Sequence, residues 1–199
     1  MSKTTEIVCI LDRSGSMSGS EQDVIGGFNS FIQEQKKVKG KARVSLVLFD
    51  HEYDVVLDRV KLKKVKPMTE FVVRGSTALN DAIGNSITRL GKAKKAIFLI
   101  QTDGGENSSR EFTTEAIKAL VERKESEGWE FIFAGTGLSE FSVNSVSQAY
   151  GMKMSNTIAV GKGQDFAKLN SVYAATTVAY RAGASLPDIS KQSSEGTGV

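Results

Sequence analysis

The chain has 199 residues, 40% of them hydrophobic and 25% charged, with a formal net charge of +3. That length suffices for one α/β domain with a substantial core, and so mild a charge does not by itself imply a polyanion partner. The single cysteine, Cys9, excludes an internal disulfide, and no stretch approaches the roughly 18 apolar residues of a membrane span.

The first element is the apolar run Glu6–Leu11, read as a buried strand that stops at Asp12. Cys9 lies inside it, where a small buried thiol is expected. The opening stretch MSKTTEIVCILD is too short in its apolar part for a signal peptide, so a cytoplasmic protein is expected. Glu21–Val38 places Val24, Ile25, Phe28, Phe31, Ile32 and Val38 on one helical stripe. Arg43–Phe49 and Tyr53–Asp58 are strands separated by DHE, short enough for a hairpin and therefore antiparallel. Leu79, Ala82, Ile83, Ile87 and Leu90 share a helical face, and Gly91 stands where a helix end favours a left-handed residue. Ala96–Ile100 is a buried strand. Phe112, Ala116, Ile117, Leu120 and Val121 mark a helix stopped by Gly128, and Trp129–Ala134 is the next strand. Ser139–Tyr150 reads as a helix with Ser139 as its N-cap and Gly151 closing it. Thr157–Val160 is a short strand, and Phe166, Leu169, Tyr173, Thr177 and Tyr180 carry a last helix. Residues 1–182 form one domain in this reading, and the polar, patternless 183–199 a flexible tail.

Alternating strands and helices predict an α/β fold: a mostly parallel six-stranded sheet with one antiparallel edge strand and helices on both faces. Right-handed crossovers bring the C-terminal ends of all parallel strands to one edge, where open α/β sheets bind ligands. Asp12 follows the first strand at that edge. FDHEYD is the hairpin there, QTDGGENSS follows the fourth strand and AGTG the fifth. The segment KLKKVKPMTEFVVRG must climb back, which delivers Ser76 and Thr77 to the same place.

Asp12, Ser14, Ser16, Thr77 and Asp103 therefore converge from three separated segments. All offer oxygen, as a hard cation requires. The two-residue spacing of Asp12, Ser14 and Ser16 suits an extended loop, whose alternate side chains point the same way. The segments DRSGS (Asp12–Ser16), GST (Gly75–Thr77) and TDG (Thr102–Gly104) resemble the three parts of the metal-ion-dependent adhesion site of von Willebrand factor A domains. Each is weak alone; in order, at predicted strand and helix ends, they are specific. The resemblance runs over residues 4–182 and is closest to small stand-alone bacterial and phage versions. It implies a Rossmann-like three-layer sandwich, with Ser14, Ser16 and Thr77 as direct ligands and Asp12 and Asp103 as charged supports. It implies Mg²⁺, with Mn²⁺ or Ca²⁺ as alternatives, and metal-dependent binding of a protein partner through that partner's Asp or Glu. It implies no enzymatic activity.

Other readings are weaker. A haloacid-dehalogenase-type phosphatase would need a second acid two residues after Asp12, where Ser14 stands. No Walker sequence is present, AGTG lacks the context of a dinucleotide fingerprint, and one histidine in another loop makes no Ser–His–Asp arrangement. His51 reads as a solvated hairpin residue. Three lysine-rich groups, at 36–41, 59–66 and 92–95, fall at the edge opposite the aspartates, and lysines near helix C-termini complement the helix dipole. The alternatives kept are a nucleic-acid or nucleotide-ligand binder using that basic pole or the metal site, and a self-assembling protein whose acidic top meets the basic bottom of the next copy.

Overall fold

A computed structural model describes residues 4–161 and 165–193. Its sheet contains β1 (Thr5–Asp12), β2 (Ala42–Phe49), β3 (Tyr53–Lys61), β4 (Ala96–Thr102), β5 (Glu130–Thr136) and β6 (Thr157–Val160), in the order β3-β2-β1-β4-β5-β6. All neighbours are parallel except the β2–β3 hairpin, which puts the antiparallel strand at an edge. The helices are α1 (Glu21–Lys37), α2 (Leu79–Leu90), α3 (Thr114–Ser126), α4 (Glu140–Ala149) and α5 (Asp165–Ala182).

Every residue of β1 is buried, because both faces of the sheet are covered. Ile7, Cys9 and Leu11 join a core with Phe28 and Phe31 of α1 and Leu169 and Tyr173 of α5. Val8 and Ile10 face the other way, into a core with Ile83 of α2, Val121 of α3 and Val143 of α4. A strand buried on both sides reads as a continuous apolar run rather than an alternation, which is why β1 and β4 were legible as they were. Burial pushes the Cys9 thiol up to about 12, so it is an inert packing group.

The structure shifts several expected boundaries. β3 continues to Lys61, through a register irregularity against β2 and a positive φ of 49° at Arg59, whose N–H is taken by Ser45 Oγ at 3.1 Å. β5 starts at Glu130 and runs to Thr136, so Gly135 of AGTG belongs to the strand rather than to a loop. No side chain fits at Gly135: a Cβ would lie 2.2 Å from Val143 Cγ2. The climbing segment has a short 3-10 turn (Leu62–Lys64) and is then irregular, but it is tied down. Asn29 of α1 holds both the N–H and the carbonyl of Met68, at 2.7 and 2.9 Å, and Leu62, Val65 and Phe71 are buried.

The expectation of a flexible tail from 183 onward is corrected for its described part. Ile189 is fully buried in the core shared with α1 and α5, and its N–H donates to Ser155 O at 2.9 Å. Two isolated apolar residues, Leu186 and Ile189, in a polar stretch are too few to show a period, so the sequence pattern could not signal that contact. Residues 194–199 lie outside the described residues.

Candidate functional site

β1 and β4 are parallel neighbours, with Leu11 opposite Gln101, so their last residues reach one edge together. Asp12 is fully buried there. Its Oδ1 accepts the Ser14 N–H at 2.7 Å, which turns the chain directly after the strand, and its Oδ2 accepts the Thr102 hydroxyl at 2.5 Å. Beyond the turn, Ser14 Oγ and Ser16 Oγ lie 3.1 Å apart, and Ser16 Oγ donates to Asp103 Oδ1 at 2.5 Å. The first and fourth strands thus deliver four of the five expected groups into one hydrogen-bonded set.

Thr77 arrives from the third segment. Its N–H donates to Asn107 Oδ1 at 2.9 Å, and its carbonyl accepts the N–H groups of Asn107 and Ser108 at 3.0 and 3.2 Å. Gly104 sits between the segments: a Cβ there would be 3.5 Å from Thr77 Oγ1 and 3.7 Å from Ser16 Oγ. The structure therefore brings Asp12, Ser14, Ser16, Thr77 and Asp103 together. Four of them are buried and Ser16 is exposed, so the cluster opens outward on that side.

Burial raises the pKa of Asp12; the Thr102 and Ser14 hydrogen bonds oppose the rise and the nearby Asp103 charge adds to it. An ionised Asp12 is thus uncomfortable without a counter-charge. The donors are two carboxylates and three hydroxyls, all oxygen, which fits a hard divalent cation. Among the described residues no group of three or more His, Cys, Asp or Glu is placed to hold a metal, so a zinc-type shell is not the alternative.

Several supporting residues were not singled out from sequence. Asp50, fully buried, accepts from Arg13 Nε at 2.7 Å and Arg74 Nε at 2.8 Å. Arg13 also reaches Asp54 at 2.5 Å, and Arg74 pairs with Glu52. The backbone follows the same path: Arg74 N–H donates to Arg13 O, Gly15 N–H to Gly75 O, and Ala78 N–H to Asp50 O. This clamp joins the hairpin, the first loop and the third segment. His51 is part of it, with Nδ1 at 3.0 Å from Asp50 Oδ1 and its ring against Gly75, where a Cβ would meet Nδ1 at 2.1 Å. The hairpin acids of the acidic top, Asp50, Glu52 and Asp54, are consequently matched by Arg13 and Arg74.

Glu106 is the second anchor. Its carboxylate takes the N–H of Asn80 at 2.8 Å, capping α2, and those of Ser108 and Ser109 in its own loop. Asp81 of α2 answers by accepting the N–H groups of Arg110, Glu111 and Phe112. The loop after β4 and the start of α2 interlock.

No known family profile matches this sequence, and no curated protein does. Solved structures do match. The proximal thread matrix protein 1 from the mussel byssus aligns at 16% identity over 91% of this chain and 46% of its own length, with a TM-score of 0.60. The vWF domain of the type V pili tip protein Mfa5 from Porphyromonas gingivalis aligns at 11% identity over 87% of this chain and 95% of that one, with a TM-score of 0.64. The pilus adhesin SpaC from Lactobacillus rhamnosus GG aligns at 15% identity over 86% of this chain and 30% of its own, with a TM-score of 0.64. The chain spans about half or less of the byssus and SpaC proteins. At such identities the likeness is one of fold: this chain has the Rossmann-like α/β fold of von Willebrand factor A domains. Among the described residues no helix is long and apolar enough to cross a membrane.

Proposed function

We propose that the chain is a protein-binding module that holds Mg²⁺ at the β1–β4 edge and grips an acidic residue of its partner there. The observation that carries this reading is the convergence of five oxygen donors from three segments, linked through Ser14–Ser16–Asp103 and Thr102–Asp12. When bound, Mg²⁺ would supply an electron-poor centre able to accept one more carboxylate. Asp12 and Asp103 provide the negative charge, and Ser14, Ser16 and Thr77 complete the shell without adding to it. Two carboxylates balance a dication without excess negative charge, so an incoming carboxylate meets no net repulsion as it approaches the ion. The rim is formed by exposed Gly15, Ser16, Gly75, Ser76 and Gly105, small residues that let a partner's side chain approach. The Arg13–Asp50–Arg74 clamp fixes the first loop against the third segment, so the donors are held before any ion arrives. Mn²⁺ and Ca²⁺ share the oxygen preference and are the alternative ions.

The reading belongs with adhesion rather than catalysis: Ser14, Ser16 and Asp103 are hydrogen-bonded in a chain, Asp12 holds the Ser14 N–H, and the lone histidine packs against Gly75 in the clamp. The test is affinity capture from the native cell in Mg²⁺ and in EDTA, with Asp103→Ala as bait beside the wild type. Partners retained only by the wild type in Mg²⁺ are expected. The same captured set in all three conditions would defeat the reading.

A further inference from the structure

A second concave surface lies at the opposite edge of the sheet, where β2 begins and β3 ends. It encloses about 740 Å³, and its charged lining is Lys36, Lys41, Arg43, Lys61, Lys63 and Lys64, with no carboxylate. A neighbouring depression of about 330 Å³ shares Thr4 and Arg43 and extends past β1 to Lys92 and Lys94. Its one acid, Glu6, is already paired with Arg59 at 2.7 Å. Helix-dipole complementarity explains Lys36, in the last turn of α1, and not the others. Lys61 closes a strand, Lys63 and Lys64 sit in a 3-10 turn, Lys41 immediately precedes β2 and Arg43 is its second residue. Among the described residues none of these five pairs with a carboxylate. Like charges gathered without partners repel one another, and an anion seated among them relieves that repulsion.

We propose that this groove binds the phosphate backbone of duplex nucleic acid, independently of sequence and of the metal site. The groove is concave, and the large exposed apolar residues Val56, Val72, Phe141, Met154 and Val178 are not in its lining, which disfavours a flat lipid surface. It holds no aromatic ring on which unpaired bases could stack. Lysines without such a platform read phosphates and not bases. A second copy is a poor occupant, since the hairpin acids Asp50, Glu52 and Asp54 at the far edge are matched by Arg13 and Arg74 and Asp12 and Asp103 are buried there. The two depressions cross the ends of β3, β2, β1 and β4, about 14 Å at the usual strand spacing. At about 3.4 Å per phosphate along one strand, that covers about four phosphates.

The inference stands apart from the proposed adhesion site, and the experiment is run in EDTA so that either can fail alone. Binding of a fluorescein-labelled DNA duplex of arbitrary sequence is followed by anisotropy between about 50 and 200 mM salt. Log affinity against log salt is expected to fall with a slope of about −4, unchanged for a second, unrelated sequence. Lys61→Ala with Lys64→Ala should flatten the slope by about 2 and weaken binding at least about tenfold at the lowest salt. Arg110→Ala with Lys118→Ala, off the groove, should match the wild type. Three results would overturn the proposal: no binding at the lowest salt, binding indifferent to Lys61 and Lys64, or stronger binding to phosphatidylserine–phosphatidylcholine vesicles than to DNA. Salt-sensitive self-association that the Lys61 and Lys64 changes abolish, without DNA binding, would assign the groove to a second copy instead.

Discussion

Asp12 and Asp50 are both buried carboxylates near one edge of the sheet, and their environments have opposite consequences for stability. For Asp12, burial outweighs its hydrogen bonds and its pKa lies above the ordinary 3.8. A carboxylate raised on folding favours the folded state below its unfolded pKa, and that contribution is lost as pH rises through the folded value. In EDTA at neutral pH, Asp12→Asn, which keeps an acceptor for the Ser14 N–H, should melt at or above the wild type, with the difference vanishing below about pH 4. In saturating Mg²⁺ the order should reverse: at 100 times the dissociation constant a ligand adds about 2.7 kcal/mol, which only the wild type can gain. Melts with and without Mg²⁺ across pH check both halves. Asp50 has the reverse sign. Burial pushes its pKa up, but the Glu52 N–H, Arg74 and Arg13 outweigh it, and the net shift is downward from 3.8. Its contribution is present above the unfolded value and fades as pH falls through the folded one. Asp50→Asn should lose about 1–3 kcal/mol at neutral pH, because Arg13 and Arg74 lose the buried carboxylate they share and Arg13 keeps only the exposed Asp54, and should flatten the acid limb of the stability curve. Chemical denaturation at a series of pH values measures this.

At the scale of elements, the interlock of α2 with the loop after β4 is what places Thr77. Ala78 at the start of α2 offers no side-chain cap, so Glu106 and Ser109 supply acceptors for Asn80 and Asp81 from another segment. Glu106→Ala should cost about 1–2 kcal/mol, as lost caps do. It should also weaken Mg²⁺ binding by calorimetry although Glu106 is not among the proposed ligands; unchanged Mg²⁺ affinity would show that the interlock does not position Thr77. This anchor could not be found from sequence, where Glu106 is one more acid in a polar loop. What was legible had a period or a fixed place. The strands buried on both faces showed as unbroken apolar runs. The helices showed as stripes, and the five donors showed because right-handed crossovers leave their three segments no other edge to reach. Partner choice was not legible: whether Asp50 meets two arginines, or Gly135 meets Val143, depends on approaches made across 24 to 37 residues for the acid and 8 for the glycine. The boundaries of β3 and β5 moved for a related reason. Pairing with an already formed neighbour extends a strand past Asp58 and through Gly135, residues whose own propensity is against it.

Over the whole molecule, the segment that returns after α5 changes how the sheet ends. Ile189 plugs the core, and Ser193 Oγ accepts the N–H of Ala159 at 3.2 Å, on β6. At the other end β3 defends itself, with exposed Asp54, Asp58 and Arg59 and a break in register. A four-residue β6 has no such protection of its own. Sheet rims with bare peptide groups invite strand addition from other chains, so the returning segment acts as a guard against aggregation as well as a packing element. Ile189→Ala in the full chain should lose about 2–5 kcal/mol yet stay monodisperse, because Ser193 still covers the rim. A chain ended after Gly183 should be destabilised by at least as much and should form oligomers that grow with concentration and bind thioflavin. Light scattering of the two variants separates the roles: a truncated chain as monodisperse as the point variant would show that the rim of β6 needs no cover.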